Sequence, residues 1–532
     1  MKGFISILGA ISTMISAGTG DSIDKYQDTR PNVVFILVDD LGWNDVGFMG
    51  SDFYETPHLD SLSKRSFVFM EGYSNSAVCS PSRASIMTGQ FTARTGITDW
   101  IGAAEGEKWR KHGRFDKLLP ASYNHSLDTL DVVLPEVLKQ HGYNTFFVGK
   151  WHLGGEESTP LHHGFDVNIG GYHGGSPQGG YYSPYNNPAL PDGPDGENLT
   201  LRLARETAEC IESSKNTPFF AFLSFYAVHG PIQTTKSKWA KFQQKAFERD
   251  GVSRGFEMGE VLPYRLHQDN PVYAGLVETM DDAVGIVLKS LEEQALLENT
   301  IIIFTSDNGG VVSGDSYSTN LHPLKGGKGN QWEGGVRVPL LIHLPQLDSA
   351  VRISTPVIGS DLYPTILDLV GVPLRPESHV DGTSLLPLLN GNQLLDRSLI
   401  WHYPHYGNQG GSPSSIIRRG KWKLIHYYED NRNELYDLQA DISESKDLIE
   451  QYPDTAKLLV KELTEYLGSV EAKKPTVDKA YDEKSRQQWL NRQKEQQCSK
   501  LEEDRRRMLS ADYLPNIDWW GSKKEKNEIN YE

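Results

Sequence analysis

A chain of 532 residues can bury a large core, with room for about two to four units at the usual domain size. Its composition is that of a globular protein, and a formal charge of −17 argues against nonspecific binding to nucleic acid or insertion at an anionic membrane. An anionic ligand must therefore meet cations gathered at one place, and three widely spaced cysteines (Cys79, Cys210, Cys498) suggest neither a disulfide framework nor a zinc site.

The N-terminus opens with Met1 and Lys2, continues through an apolar stretch over 4–17 and leaves it through small residues. That is the order of a signal peptide ending near residue 20, and the stretch is too short for a membrane span. The mature protein is expected to be exported, periplasmic or secreted, with no lipid anchor. Asn32–Val38, NVVFILV, is an unbroken apolar run, the pattern of a strand buried on both faces. Comparable runs lie at 145–148, 219–225, 300–304 and 338–344. Between them Leu130, Val133, Leu134, Val137 and Leu138 recur at helical spacing and stop at Gly142. Tyr273, Leu276, Val277, Met280, Val284, Val287 and Leu288 form a second stripe. Strands alternating with amphipathic helices predict a doubly wound α/β sheet. The Gly-, Pro- and Tyr-rich stretch 153–198 predicts an active-site wall, and the generous Gly, Tyr and Trp content suits a sugar-facing pocket. Beyond about 395, IIRRGKWKLIHYY and ELYDLQ predict short antiparallel strands, followed by a charged helical tail that carries IDWW.

Four of the apolar runs end in polar groups: Asp39-Asp40, Lys150-Trp151-His152, His229 and Asp307-Asn308. In an open parallel sheet the ligand crevice lies at the carboxyl ends of the strands, so these distant groups are expected to converge. Asp39, Asp40, Asp307 and Asn308 offer only oxygen ligands, which suits a hard cation, with calcium preferred and magnesium the alternative. Alone, each dipeptide reads as a cap or a turn; placement after a buried strand makes it a ligand candidate. Pro81 sits where a helix through ASIMTG would begin, which puts Cys79 at a helix N-terminus that favours an anion. A cysteine there reads as a low-pKa nucleophile or as a small buried hydrophobe.

CSPSR followed by ASIMTGQFTARTG resembles the C-x-P-x-R signature of the Cys-type sulfatases, whose cysteine a separate maturing enzyme oxidises to formylglycine (3-oxoalanine). FILVDDLGWNDVG, VGKWHLG, SDNGG and GGKGNQWEGGVRVP resemble further blocks of that family in its order, over about residues 30–445. The resemblance implies an alkaline-phosphatase-like α/β fold with a large mixed, mostly parallel sheet. A catalytic domain would span 30–395 and a smaller C-terminal α+β subdomain with an antiparallel sheet 396–532. It also implies that Cys79, as an aldehyde hydrate, is the nucleophile and a metal ligand, steadied by Arg83. Lys150 would bind nucleophile and sulfate, His152 the hydrate, and His229 would face the ester oxygen. Lys328 matches the sulfate-binding lysine, and Lys325 matches no catalytic position. His173, Tyr172, His322, His402 and His405 lie in loops that can line a pocket and are read as structural.

On this reading a divalent cation with Lys150, Lys328 and Arg83 offsets the sulfate charge, and His229, with Lys328, protonates the departing oxygen. The second hydroxyl of a hydrate expels sulfate with His152 as base, which a serine at position 79 could not do. The expected substrate is a sulfated carbohydrate, from a polysaccharide such as ulvan, carrageenan or a glycosaminoglycan. The alternatives are a phosphonate or phosphodiester hydrolase of the same superfamily and a noncatalytic sulfated-glycan-binding derivative. Asn124 and Asn198 stand in glycosylation sequons that matter only in a eukaryotic source.

Overall fold

The structure is a computed structural model and describes residues 30–249 and 254–516. The expected signal peptide and the IDWW segment lie outside the described residues. The main sheet is built, in chain order, from β1 (Asn32–Val38), β2 (Phe67–Phe69), β3 (Asn144–Gly149), β4 (Val167–Ile169), β5 (Phe219–Ser224), β6 (Thr300–Ser306), β7 (Leu340–His343) and β8 (Val351–Ile353). Their spatial order is β8-β2-β7-β6-β1-β5-β3-β4. Only β7 runs against its neighbours, so the sheet is mixed and mostly parallel, as expected.

The two faces of the sheet explain the unbroken apolar run of β1. Val34, Ile36 and Val38 pack into a core with helices α3 (Leu199–Ser213) and α4 (Pro271–Glu293). Val33, Phe35 and Leu37 face the opposite core, which includes α1 (Cys79–Thr88), α2 (Leu134–Gln140) and α5 (Leu362–Leu369). A period of two between two buried faces leaves no position for a polar side chain. The second helical stripe falls within α4 as expected. The first begins later than its spacing predicts: Leu130 is 87% exposed, Val133 caps α2, and Pro135 in the first turn fixes the start.

Register then levels the strand ends. Val38 pairs with Ser306, and Ser224 pairs with both Leu37 and Gly149. The residues that follow, Asp39, Asp307 and Lys150, therefore emerge on one edge. Gly149, at φ 110°, has the backbone of Ser224 so close that a Cβ would lie 1.8 Å from the Ser224 carbonyl oxygen. Only glycine permits that approach.

The C-terminal unit is a four-stranded antiparallel sheet of β9 (Ser398–Tyr403), β10 (Ser414–Arg419), β11 (Trp422–Tyr427) and β12 (Asn433–Asp437). Helix α6 (Pro453–Ser469) covers it with Ala456, Leu459, Leu463 and Leu467 and shares a core with Tyr73, Ala77 and Phe91 of the larger unit. The charged tail forms α7 (Glu483–Met508), which buries none of its residues and is tied down by ion pairs, Arg486 to Asp116 at 2.7 Å and Arg505 to Asp269 at 2.6 Å. No described helix is long and apolar enough to cross a membrane.

Candidate active site

At the levelled edge the structure brings together Asp39, Asp40, Cys79, Arg83, Lys150, His152, His229, Asp307, Asn308 and Lys328. Asp39, Asp40 and Asp307 are fully buried, with carboxylate oxygens within 4.8 Å of one another. Three like charges at that distance need compensation, and three cations supply it. Lys150 Nζ donates to Asp39 at 2.6 Å, and Lys328 Nζ donates to Asp40 at 2.7 Å. Arg83 reaches Asp307 with Nε at 2.8 Å and Nη2 at 2.7 Å. Arg83 also donates through Nη1 to the Lys150 carbonyl at 2.8 Å and to Ser224 Oγ at 2.7 Å, which ties α1 to the ends of β3 and β5.

Cys79 is the first residue of α1, preceded by extended Val78 and buried. Its Sγ lies 3.3 Å from His152 Nδ1, while His152 Nε2 lies 3.0 Å from the Ile101 carbonyl. That carbonyl can only accept, so Nε2 carries the ring proton and Nδ1 accepts from the thiol. Ser80 Oγ donates to the His152 carbonyl at 2.9 Å and accepts from Ile101 N at 3.0 Å, bracing the same segment. Gly175 lies so close to the His152 ring that a Cβ there would meet it at 2.5 Å. His229 Nε2 is 3.7 Å from Asp40 Oδ2, and Nδ1 is held by its own chain at the Gly230 carbonyl, 2.6 Å away. Tyr181 fixes that turn by donating to the Tyr226 and His229 carbonyls. Asp40 and His152 adopt positive φ, 63° and 55°, which costs a non-glycine residue energy and concentrates strain at this site.

The electrostatics follow from burial and pairing. Burial pushes the Cys79 thiol up, with Lys150 and Lys328 opposing, so the unmodified cysteine is a protonated thiol rather than a reactive thiolate. Burial pushes the Asp39 carboxyl up, and the Lys150 ammonium and the Arg83 guanidinium beside it work against that rise. Burial would raise Asp40 too, but Lys328, His229 and Lys150 outweigh it and hold its carboxyl low. Lys328 is correspondingly raised, Asp40 overcoming burial. Burial and the Lys150 ammonium lower His152 strongly, and burial with Lys328 pushes His229 down to about 3. Both histidines are neutral at physiological pH. The negative charge of a bound anion acts on His229 in the opposite sense to Lys328.

Asp39, Asp40, Asp307 and Asn308 fit a hard cation. Asp39 Oδ1 and Asn308 Oδ1 are buried oxygens without a hydrogen-bond partner, and Asn308 Nδ2 is turned to Asp40 Oδ1 at 2.8 Å, which fixes its amide. Orphaned oxygens of this kind are costly unless something cationic meets them. With a divalent ion, three carboxylates against three protein cations become a net positive site that attracts an anion. Among the described residues no other group of three acidic, histidine or cysteine side chains converges in this way.

Above the cage opens a cavity of about 350 Å³, with Asp40, Cys79, His152, His229 and Lys328 in its lining. Sequence reasoning placed part of its wall correctly, since Gly175 and Ser176 come from the 153–198 stretch, but missed Trp100, Asp315 and Gln409. These lie on irregular loops with no periodicity, where only spatial proximity marks them. His173, Tyr172, His402 and His405 are absent from the lining. His402 bonds Ser415 and the Lys473 carbonyl, and His405 bonds Thr98, so both are structural. His322 and Lys325 line a neighbouring cavity, where Lys325 lies over the Trp332 ring at 4.1 Å. Asn198 caps α3 with its side chain, accepting from the backbone of Thr200 and Leu201.

Comparison with known proteins agrees with this geometry. The family profile described as Sulfatase matches residues 31–372, and that described as N-sulphoglucosamine sulphohydrolase, C-terminal, matches residues 328–473. The chain is 29% identical over 531 residues to a protein named Sulfatase from Formosa agariphila, covering 86% of this chain and 91% of that one. It is 31% identical over 399 residues to N-acetylgalactosamine-6-sulfatase of Canis lupus familiaris, with 70% of this chain and 68% of that one covered. The solved structure of Ps i-CgsB in complex with k-i-k-neocarrahexaose is similar with a TM-score of 0.66 and 28% identity, over 82% of this chain and 92% of that one.

Proposed function

From the premise that this chain belongs to the sulfatase family, enzymes that hydrolyse sulfate esters, we propose that its substrate is a sulfated carbohydrate and that it works with calcium and a formylglycine made from Cys79. One observation carries the reading: Cys79 heads α1 beside His152 and Arg83, against a cage of buried oxygens with two orphans. The carbohydrate assignment is supported by the similarity to N-acetylgalactosamine-6-sulfatase and to Ps i-CgsB, whose crystals hold k-i-k-neocarrahexaose. Calcium is preferred to magnesium because the donors are irregular carboxylate and amide oxygens rather than a few carboxylates around a hydrated ion.

Asp39, Asp40, Asp307 and Asn308 would hold the ion, which supplies charge to offset the sulfate and to acidify a hydroxyl at position 79. Lys150, Lys328 and Arg83 would offset the charge of the sulfate oxygens, since fixed cations stabilise charge without reorganising. His152, neutral and with Nδ1 toward position 79, is placed to take a proton from that side chain. His229, in the cavity lining beside Asp40, would give a proton to the departing sugar oxygen only after Nε2 has taken one up, which the charge of a bound anion favours. Export to the periplasm or medium through residues 1–20, and maturation of Cys79 by a separate enzyme, complete the proposal.

The test is turnover by protein coexpressed with a sulfatase-maturing enzyme. It should hydrolyse an aryl sulfate and members of a panel of defined sulfated oligosaccharides far faster than an aryl phosphodiester or phosphonate. Dominant diester hydrolysis would assign the chain a different substrate class, and binding of the panel without turnover would make it a glycan-binding protein.

A further inference from the structure

Within the catalytic cavity one acidic side chain is not accounted for by the cation cage. Asp315 is exposed in the wall of the cavity whose floor carries Cys79, His152, His229 and Lys328. Its charge is felt at Lys328, where it acts with Asp40 and Asp39. A carboxylate in that position works against the capture of any anion, so sulfate binding does not explain it.

Asp315 is also held in place. Gln409, buried and carried by the loop between β9 and β10, donates from Nε2 to Asp315 Oδ2. The backbone carbonyl of Gln409 in turn accepts from Asn330 at 3.5 Å, two residues from Lys328. Asp315 itself and Tyr317 adopt positive φ, 35° and 44°, so the loop keeps a conformation that non-glycine residues avoid. The Gln409 bond occupies Oδ2 and leaves Oδ1 for the cavity. Trp100, half-buried in the same wall, offers an apolar ring. A fixed carboxylate that only accepts, in the same cavity wall as an aromatic ring and beside Lys328, is complementary to a sugar ring presenting neutral hydroxyls. It is anticomplementary to a ring that presents a second anion, because like charges brought together in a partly desolvated pocket repel strongly.

We propose that Asp315, fixed by Gln409 of the C-terminal unit, is a specificity residue: it accepts hydroxyls of the sugar that carries the scissile sulfate and rejects sugars bearing a further sulfate or carboxylate on that side. The inference rests on the carbohydrate reading and narrows it to neutral hexose monosulfates within a chain. It also gives the C-terminal unit a part in substrate choice, since the residue that orients Asp315 comes from it.

The experiment compares kcat/KM for a neutral hexose monosulfate and the corresponding disulfate, in the wild type and in Asp315→Asn, with an aryl sulfate measured alongside. Asparagine keeps the size and the acceptor for Gln409 but removes the charge. The wild type should prefer the monosulfate, and Asp315→Asn should shrink that preference by about tenfold. Raising the salt concentration should erode the preference of the wild type and leave that of the variant flat, because screening acts on the charge alone. Gln409→Ala, with its fold checked by melting temperature, should move the ratio in the same direction by a smaller factor. A ratio unchanged in Asp315→Asn, or a wild type that prefers the disulfate, overturns the proposal while the carbohydrate reading stands. Turnover of the aryl sulfate with neither sugar hydrolysed removes both.

Discussion

The floor and the rim of the catalytic cavity are built on opposite principles. The floor is made where parallel strands end in register: Asp39, Lys150 and Asp307 follow β1, β3 and β6, and α1 brings Arg83 and Cys79 down onto them. Its carboxylates are buried and each is paired with a cation, three against three. The rim is made of loops, Trp100 from one, Gly175 and Ser176 from another, Asp315 from a third and Gln409 from the C-terminal unit. The residues proposed to bind sulfate are thus fixed by the sheet, and the loops around them are free to differ without disturbing them.

Breaking the floor should cost most. Cys79→Ser offers a single hydroxyl in place of the proposed hydrate, and multiple turnover of an aryl sulfate should fall by about a thousandfold or more; near-normal turnover by protein whose mass shows an unoxidised serine would show that the floor works without modification. Arg83→Ala leaves Asp307 buried without its cation, while Asp39 keeps Lys150, so thermal or urea unfolding should show a loss of about 3–5 kcal/mol. If stability is unchanged, the ionic balance described for the floor is wrong.

The scaffold beneath the rim offers a milder test through pH. His402, on β9, is buried between Ser415 and the Lys473 carbonyl, and burial pushes it from 6.5 down to about 4. Between those values the unfolded chain binds a proton that the folded chain refuses. Stability from this residue is therefore complete above about pH 6.5 and declines as pH falls toward 4, by about 3 kcal/mol in all. His402→Gln should flatten that acid limb in a melting series across pH, and an unchanged limb would place the titration elsewhere. Asp307→Asn removes one carboxylate of the cage, and calorimetric titration should show calcium affinity reduced by about a hundredfold. The smallest effect belongs to the rim itself: Trp100→Ala should raise KM for a sulfated oligosaccharide by about tenfold with kcat little changed. An equal fall in kcat would move Trp100 from the rim to the chemistry.

The same contrast governs what the sequence disclosed. Unbroken apolar runs ending in Asp-Asp, Lys-x-His and Asp-Asn announce buried strands with functional ends, because a strand covered on both faces has no other use for polar residues at its exit. Asp39, Asp40, Lys150, His152, Asp307 and Asn308 were legible for that reason, Cys79, Arg83 and Lys328 gained their roles from the resemblance to the sulfatase signature, and the antiparallel strands after 395 and the long α4 showed in their own patterns. The start of α2 was misplaced because Leu130 continues the helical spacing while Pro135 and the Val133 cap decide where the helix begins. Asp315, Gln409 and Trp100 left no trace, since irregular loops carry no period and their meeting depends on two units packing together. His402 and His405, read from the sequence as structural, are buried and hydrogen-bonded in keeping with that reading.

On the proposed reading, this floor exists to hold an oxidised cysteine. The measurement closest to it is the mass of the tryptic peptide 66–83, which carries Cys79 and ends at Arg83, from protein produced with a sulfatase-maturing enzyme and assayed in the same preparation. The account predicts the mass of the aldehyde, or of its hydrate, in proportion to the sulfatase activity recovered. A fully active preparation whose peptide carries only unmodified cysteine would contradict it.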